Sequence, residues 1–343
     1  MKRERPIRVL IVDDSPSNRR AISQILEASP GIEVVDRAAD GDEGLKKAEA
    51  LLPDVITLDL EMPRLDGYTF LRVLMARAPT PVIVLSSYAH PSDVFKALEL
   101  GAFDFVAKPM RSDKDSLDAV RAQLVEKVRA AMEARRDTTP TPPPPRRAEK
   151  KGPEEVQVVA VGASTGGPPA VQRLIEAISG AQTCLLVSQH MPARFTRAFA
   201  ERLDQAGAFR VKEAEDGNPV EAGRVYIAPG GRHLELTQVN GRLVTAVPNA
   251  RPDDKHAPSV DRLFSSAAKL LGRRAFGIVL TGMGNDGEQG TKAIAQAGGE
   301  VWAESEASAV VYGMPRAAIG TGKVAQVLAL PEMGTALLAR LKS

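Results

Sequence analysis

Cysteine is nearly absent from this sequence: Cys184 is the single thiol among 343 residues. One cysteine cannot build an internal disulfide framework, and it makes a cysteine-based metal cluster implausible. It lies in the apolar run TCLLV, residues 183–187, where we expect a buried and unreactive side chain within a strand.

An excess of one charge sign is also absent. The 45 Lys and Arg residues are balanced by 43 Asp and Glu residues, which gives a formal net charge of +2. This balance gives no reason to expect a nucleic-acid-binding surface.

Long apolar runs are missing as well. No segment approaches the roughly 20 consecutive apolar residues of a membrane-spanning helix. The N-terminal stretch MKRERPIRVLIVDD is basic, but it lacks the apolar segment of a signal peptide. We therefore expect a cytoplasmic protein without direct membrane insertion.

A proline-rich, charged stretch divides the chain. It reads TTPTPPPPRRAEKKGPEE, residues 138–155, and such a composition favours an extended linker over a packed core. The length of the chain also favours two domains. We predict one domain over residues 1–135, a linker over 136–154 and a second domain over 155–343.

Both halves alternate short apolar strands with amphipathic helical patterns, which predicts α/β domains with parallel sheets covered by helices. The second half is expected to be doubly wound and mostly parallel. Within it, the segment VYIAPGGRHLEL indicates a strand, a Gly-Gly turn and a second strand, as in a hairpin.

Five polar residues follow the first, third, fourth and fifth predicted strands of the first half: Asp13, Asp14, Asp59, Ser86 and Lys108. The carboxyl ends of parallel strands meet at one edge of the sheet, where ligands gather. Three carboxylates at one place are explained if they hold a hard cation such as Mg²⁺. A metal beside a carboxylate and a lysine can also serve phosphoryl transfer to that carboxylate.

These residues lie in the segments IVDDSPSNRR, VITLDLEMPRLDGYTFL, VIVLSSYAH and FDFVAKP. The segments resemble the receiver domain of two-component response regulators, which implies a flavodoxin-like (βα)5 fold. By this resemblance Asp59 is the phosphoacceptor, Asp13 and Asp14 bind the metal with it, and Ser86 and Lys108 sense the phosphoryl group. The resemblance also implies a histidine kinase as phosphodonor, and it raises a cis peptide between Lys108 and Pro109 as an expectation.

The second half opens with VVAVGASTGG, in which Ser164 occupies a G-x-S-x-G spacing after a buried strand. Ser164 could be a nucleophile, part of a phosphate-binding loop or a turn residue. Neither phosphate-loop motif, G-x-x-x-x-G-K-[ST] or G-x-G-x-x-G, is present around it, so the phosphate-loop interpretation is the weaker one.

A nucleophilic serine needs a general base. Of the four histidines, His90 belongs to the first half, His233 lies in the predicted hairpin and His256 lies in the polar loop RPDDKHAPSVD. Only His190 follows directly on a buried strand, CLLVSQH. We therefore predict His190 as the base.

The orienting acid must come later in the chain. Between Ser164 and His190 the only carboxylate is Glu176, in a helical pattern where we expect it to be solvated. The Ser, acid, His order of α/β-hydrolases is therefore excluded. Asp286, in the glycine-rich loop of IVLTGMGNDG, is the predicted acid.

Backbone amides near the serine are the predicted oxyanion donors. Gly166 and Gly167 let the chain turn into a helix, so that nearby amides can face a developing charge. We predict the amides of Thr165 and Met283 as the donors.

The segments ASTGGPPAV, SQHMPARFTRAFAERL, VYIAPGGRHLEL, HAPSVDRLF, LTGMGNDGEQG and SEASAVVYGMPRAAI occur in this order. They resemble the catalytic domain of chemotaxis protein-glutamate methylesterases, the CheB family. The resemblance implies hydrolysis of glutamate methyl esters on methylated chemoreceptors and deamidation of receptor glutamines, by a serine hydrolase that needs no cofactor for the esterase reaction. It also implies that phosphorylation of the receiver relieves inhibition.

Two other classes of function remain as alternatives. A DNA-binding transcriptional regulator is disfavoured by the near-neutral charge and the lack of a compact basic recognition helix. A non-enzymatic adaptor on a decayed esterase scaffold is disfavoured because Ser164, His190 and Asp286 are all present.

Overall fold

The structure, a computed structural model, describes residues 5–86, 91–108, 114–136 and 157–341. The chain divides into two compact units, Met1–Asp137 and Thr138–Ser343. Most of the predicted linker, from residue 137 onward, lies outside the described residues, and so do His90 and Pro109. None of the described helices combines the length and the apolar character that crossing a bilayer requires.

The described part of the first unit alternates strands and helices along the chain. The elements are β1 (Ile7–Val12), α1 (Pro16–Glu27), β2 (Ile32–Ala38), α2 (Gly41–Leu51), β3 (Val55–Asp59), α3 (Gly67–Arg77), β4 (Val82–Ser86), α4 (Pro91–Glu99), β5 (Asp104–Ala107) and α5 (Lys114–Arg136).

The strands of the first unit form one sheet in the order β2-β1-β3-β4-β5, with every pair parallel. All residues of β3 and β4 are buried, as expected for strands covered on both faces. Polar side chains cap the first turns of two helices: Asp40 accepts from the Glu43 amide at α2, and Asp66 accepts from the Thr69 amide at α3. The predicted flavodoxin-like order is confirmed.

The second unit has more elements within its described residues. They are β6 (Gln157–Ala163), α6 (Gly167–Ala177), β7 (Thr183–Gln189), α7 (Ala193–Gln205), β8 (Arg210–Glu213), β9 (Arg224–Ile227), β10 (Glu235–Val239), β11 (Arg242–Ala246), α8 (Val260–Leu271), a 3₁₀ turn (Gly272–Arg274), β12 (Phe276–Val279), α9 (Glu288–Gln296), β13 (Glu300–Glu304), α10 (Gly313–Gly320), β14 (Gln326–Leu328) and α11 (Leu330–Leu341).

The main sheet of this unit has the order β14-β13-β12-β6-β7-β9-β8, and all its pairs are parallel. The chain first builds the sheet from β6 toward β7 and β9, then returns to the other side of β6 with β12. The winding direction therefore reverses at β6. Such a reversal opens a crevice at the carboxyl ends of the flanking strands, where ligands bind in open α/β sheets.

The predicted hairpin in VYIAPGGRHLEL is wrong in its pairing. Its first strand, β9, lies between β7 and β8 in the main sheet, so neither edge of β9 is open to a further strand. The second strand, β10, pairs instead with β11 as an antiparallel ribbon, in which Glu235 faces Ala246.

Helix α8 contributes to the core of the second unit. Leu263 and Phe264 of this helix lie in one buried cluster with Val158 and Leu186 of the main sheet and Leu236 of the ribbon. Burial of these apolar side chains is the main force that holds the sheet, the helix and the ribbon together.

Cys184 lies in β7 and is fully buried. Burial raises the pKa of its thiol to about 12, so the thiolate does not form at neutral pH. The expected buried position of this thiol is confirmed.

Candidate active site

Ser164 directly follows β6, at a sharp turn into α6. Its amide donates to the Thr281 carbonyl over 3.0 Å, and its carbonyl accepts from the Gly167 amide over 2.8 Å. The turn needs glycine twice: Gly166 has a φ of +74°, and a Cβ on Gly167 would collide with the Gln189 side chain. The hydroxyl is thereby placed at the carboxyl end of β6, half-buried.

His190 directly follows β7, the strand next to β6. Ala163 and Gln189 are partners in the register of the two strands, so Ser164 and His190 are the next residues along each. The His190 amide donates to the Ala163 carbonyl over 3.0 Å. Within the described residues, Ser164 Oγ makes no hydrogen bond to the His190 ring. Catalytic hydrogen bonds often form only when substrate binds, so the pairing of Ser164 with His190 stays a prediction.

Asp286 connects His190 to the start of α8. Asp286 Oδ2 lies 2.8 Å from His190 Nε2 and accepts from the Val260 amide over 2.7 Å. Its Oδ1 accepts from Ser259 Oγ over 3.1 Å and from the Asp261 amide over 2.9 Å. The carboxylate thus lies at a helix N-terminus, where backbone amides and the helix dipole favour negative charge.

The electrostatics of Asp286 favour its ionised form. Burial alone would raise the pKa of this carboxyl, but hydrogen bonding and the charge of His190, with the amides of Asp261 and Val260, lower it to about 2. The ionised carboxylate accepts the Nε2–H of His190. The second ring nitrogen, Nδ1, then carries the lone pair that a general base needs.

The predicted oxyanion donors lie beside the serine. Thr165 is buried, and Met283 is half-buried in the loop after β12. Among the described residues, neither backbone amide donates to a protein acceptor, whereas the amides of Ser164 and Gly282 both do. Two free amides near a serine are suited to hold the oxygen of a tetrahedral intermediate.

The two remaining described histidines each have a ring contact that their sequence position did not predict. The ring of His256 stacks on that of His190, with centroids 4.4 Å apart and planes inclined by 7°. Burial and the nearby His190 lower the pKa of His256, so the stacked ring is held neutral. His233 is fully buried, and its Nε2 pairs with Asp254 Oδ2 at 2.8 Å.

The five predicted polar residues of the first unit converge at the carboxyl edge of its sheet. Carboxylate oxygens of Asp13, Asp14 and Asp59 lie within 4.8 Å of one another. Lys108 Nζ lies 3.1 Å from Asp13 Oδ2 and also pairs with Asp59. Ser86 is buried at the end of β4 and lines the same cavity as Asp14, Asp59 and Lys108.

Burial and a neighbouring carboxylate both disfavour the charge of Asp13 in this cluster. Burial raises the pKa of Asp13 more than the Lys108 charge lowers it, and the neighbouring Asp59 adds to the rise. A cation would relieve this conflict, and three carboxylates form an oxygen ligand set that a hard divalent cation accepts.

The sequence of this chain matches two known families. CheB methylesterase covers residues 159–337, and response regulator receiver domain covers residues 9–120. The protein-glutamate methylesterase/protein-glutamine glutaminase 1 of Myxococcus xanthus (strain DK1622) is 58% identical over 97% of this chain and 96% of its own length. The chain belongs to the CheB methylesterase family.

Other CheB relatives support the same relationship. Protein-glutamate methylesterase/protein-glutamine glutaminase 6 of Anaeromyxobacter dehalogenans (strain 2CP-C) is 52% identical over 98% of this chain and 96% of its own length. The crystal structure of the Thermotoga maritima CheB methylesterase catalytic domain is 36% identical, has a TM-score of 0.52, and covers 54% of this chain and 99% of that chain. The predicted α/β fold of the catalytic unit is thereby confirmed.

Sequence reasoning missed several residues around the site of this CheB family member. His256 lies in a polar loop, where the sequence predicts no role for it, yet its ring contacts the ring of His190. Ser259 donates to Asp286, and its sequence signal was available, because a serine before an amphipathic helix predicts an N-cap. Glu176, in contrast, is exposed as expected.

Proposed function

We propose that this protein is a protein-glutamate methylesterase and protein-glutamine glutaminase that acts on methylated chemoreceptors in the cytoplasm. The observation that carries the proposal is the 2.8 Å pair of His190 and Asp286 at the strand end next to Ser164. The names of its curated relatives support the substrate class. The proposed domains are residues 1–135 and 155–343, joined by a linker over 136–154.

Acylation begins at the serine hydroxyl. Ser164 Oγ attacks the ester carbonyl while His190 Nδ1 takes its proton, and Asp286 stabilises the cationic ring through Nε2–H. The amides of Thr165 and Met283 donate to the oxyanion. The tetrahedral intermediate collapses when His190 returns the proton to the leaving methoxide, which departs as methanol.

Deacylation repeats these steps with water. His190 takes a proton from the attacking water, and the collapse of the second intermediate returns a proton to Ser164 Oγ and releases a glutamate carboxylate. An amide substrate follows the same route and releases ammonia, which makes the glutaminase reaction a variant of the esterase reaction. None of these steps requires a cofactor.

The first unit supplies the control. Asp59 accepts a phosphoryl group from a histidine kinase. Asp13, Asp14 and Asp59 would hold a Mg²⁺ ion, which would supply positive charge for this transfer. Lys108 and Ser86 then bind the phosphorylated side chain. The convergence of these five side chains at one edge of the sheet supports this role.

Ser164→Ala tests the proposed activity. With methyl-labelled receptor membranes and a phosphodonor, the variant is expected to release methanol at least about 10³-fold more slowly than the wild type, as triad deletions generally do. Ser179→Ala, at an exposed serine of the same unit, is the matched control and should keep the wild-type rate.

Two results would contradict the proposal. Near-wild-type methanol release by Ser164→Ala would remove the serine from the mechanism. A wild-type protein that releases no methanol under any phosphodonor condition would favour the adaptor alternative.

A further inference from the structure

The predicted oxyanion amides belong to peptide groups whose carbonyls are fixed. The Ser164 carbonyl accepts from the Gly167 amide over 2.8 Å and from Gln189 Nε2 over 2.9 Å. A trans peptide directs its C=O and N–H in opposite directions. Because the Ser164 carbonyl oxygen is held in place, the Thr165 N–H points away from Gly167 and Gln189.

Met283 is aimed in the same way. The Gly282 carbonyl accepts from the Met314 amide over 2.8 Å, while the Gly282 amide donates to the Val311 carbonyl over 2.9 Å. The Met283 N–H therefore points away from Met314. Each predicted donor N–H is thus oriented by hydrogen bonds to the carbonyl oxygen of the same peptide group.

Thr281 bonds to the peptide groups on both sides of the Ser164–Thr165 peptide, and it directly precedes Gly282 in the chain. Its carbonyl accepts from the Ser164 amide over 3.0 Å, and its Oγ1 donates to the Thr165 carbonyl over 2.9 Å. The same Oγ1 accepts from the Val311 amide over 2.9 Å. One side chain therefore joins the serine turn, the loop after β12 and the segment before α10.

Glu304 supports Thr281 from the end of β13. It is fully buried, and its Oε2 accepts from the Thr281 amide over 2.8 Å. Its Oε1 accepts from Ser308 Oγ over 2.8 Å, and Ser308 Oγ in turn accepts from the Leu330 amide. Burying a carboxyl group is unfavourable unless it is hydrogen-bonded. An apolar side chain would fill this position without that requirement, so packing alone does not explain a glutamate here.

We propose that Thr281 and Glu304 are positioning residues that align the Thr165 and Met283 amides with the oxyanion. The inference rests on the proposed function. It assigns no contact with substrate to either residue. Their effect is on the geometry of the donors, which must be set before the reaction because oxyanion stabilisation depends on dipoles that do not have to reorient.

The test compares three variants of the full-length, phosphodonor-activated protein. Thr281→Val keeps the shape of the side chain and loses Oγ1, whereas Thr281→Ser keeps Oγ1. Thr183→Val is the matched control, because Thr183 is also buried and donates through Oγ1 to a backbone carbonyl, but at the opposite end of β7.

Thr281→Val is expected to lower kcat for methanol release by about 10- to 100-fold, a fraction of the loss seen when an oxyanion donor is removed. The KM should change by no more than about twofold, since ground-state binding is not affected. Thr281→Ser should restore most of kcat, and Thr183→Val should leave kcat unchanged. A kcat for Thr281→Val equal to that of Thr183→Val would overturn the inference.

Glu304 gives a second pair in case Thr281→Val does not fold. Glu304→Gln keeps an acceptor for the Thr281 amide, and Glu304→Met removes it at similar size. We expect kcat to fall in Glu304→Met and to stay close to the wild-type value in Glu304→Gln, and equal kcat values in the two variants would overturn the role of Glu304.

If Ser164→Ala is itself fully active, the proposed function fails. If Ser164→Ala is inactive and Thr281→Val is fully active, only this inference fails.

Discussion

At the scale of single residues, the charge of Asp286 decides which nitrogen of His190 can act as base. The carboxylate faces Nε2 at 2.8 Å, so we propose that Nε2 carries the proton and that Nδ1 is the base. Because the pKa of Asp286 is lowered to about 2, its carboxylate is charged at neutral pH and can accept a hydrogen bond from this nitrogen.

Asp286→Asn tests this assignment. The substitution preserves shape but removes the charge that stabilises the cationic ring, so kcat should fall by roughly 10³- to 10⁴-fold. Steady-state methanol release measures the effect. A loss smaller than tenfold would contradict the role of the carboxylate.

The same pKa shift affects stability. A carboxyl whose pKa is 3.8 when unfolded and about 2 when folded contributes stability that is full above pH 3.8 and is lost as the pH falls through 2. The difference in unfolding free energy between wild type and Asp286→Asn should therefore narrow by about 1 kcal/mol between pH 6 and pH 3. Denaturant unfolding at the two pH values measures it, and a constant difference would contradict the shift.

At the scale of elements, α8 and α9 cap each other. Asp286, just before α9, accepts from the Asp261 amide at the start of α8. Asp261 Oδ1 in turn accepts from the amides of Gly287 and Gly290 over 2.9 and 2.6 Å. Gly287 is the N-cap of α9 and has no side chain, so α9 depends on α8 for its cap. These reciprocal hydrogen bonds fix the backbone on the C-terminal side of Asp286.

Asp261→Ala should therefore affect both folding and catalysis. We expect a loss of about 1 kcal/mol of stability, as for other N-cap deletions, together with a lower kcat because Asp286 loses its support. Asp261→Asn should restore both, since one oxygen accepts both hydrogen bonds. Asp204→Ala, which removes an acceptor for the Val211 amide elsewhere in the unit, is the control and should lower stability without lowering kcat.

At the scale of the whole molecule, two units with complete polar sites are joined in one chain. We infer that the unphosphorylated receiver inhibits the esterase and that phosphorylation of Asp59 relieves the inhibition. A fragment from about residue 150 onward should then release methanol faster than the unphosphorylated full-length protein. The solved Thermotoga maritima relative is such a catalytic domain, which supports the use of the fragment.

The control for this prediction is Asp59→Asn in the full-length protein. It should not respond to a phosphodonor, and removal of Mg²⁺ with a chelator should have the same effect on the wild type. Methanol release by the fragment that is no faster than that of the unphosphorylated protein would contradict inhibition by the receiver.

Much of this organisation was predictable because parallel strands end at a common edge. Ser164, His190 and Asp286 each follow a buried strand. In the first unit Asp13 follows β1 and Asp59 ends β3. That rule places residues by local sequence alone.

What sequence did not predict depends on contacts between distant segments. His256 stacks on His190 from a loop without hydrophobic periodicity. The proposed role of Thr281 depends on hydrogen bonds to residues far away in sequence. The pairing of β10 was missed because it depends on both edges of β9 being occupied. None of these contacts leaves a pattern within a window of a few residues.

The reversal of winding at β6 also has a consequence for how the protein matures. The hydrogen bond between His190 and Asp286 joins residues 96 positions apart, and β6 pairs with both β7 and β12. Contacts of such long sequence separation form late and slowly, because the intervening chain must be closed into a loop. The proposed active site can therefore form only once β12 has docked, and regain of enzymatic turnover during refolding would report this long-range step of assembly.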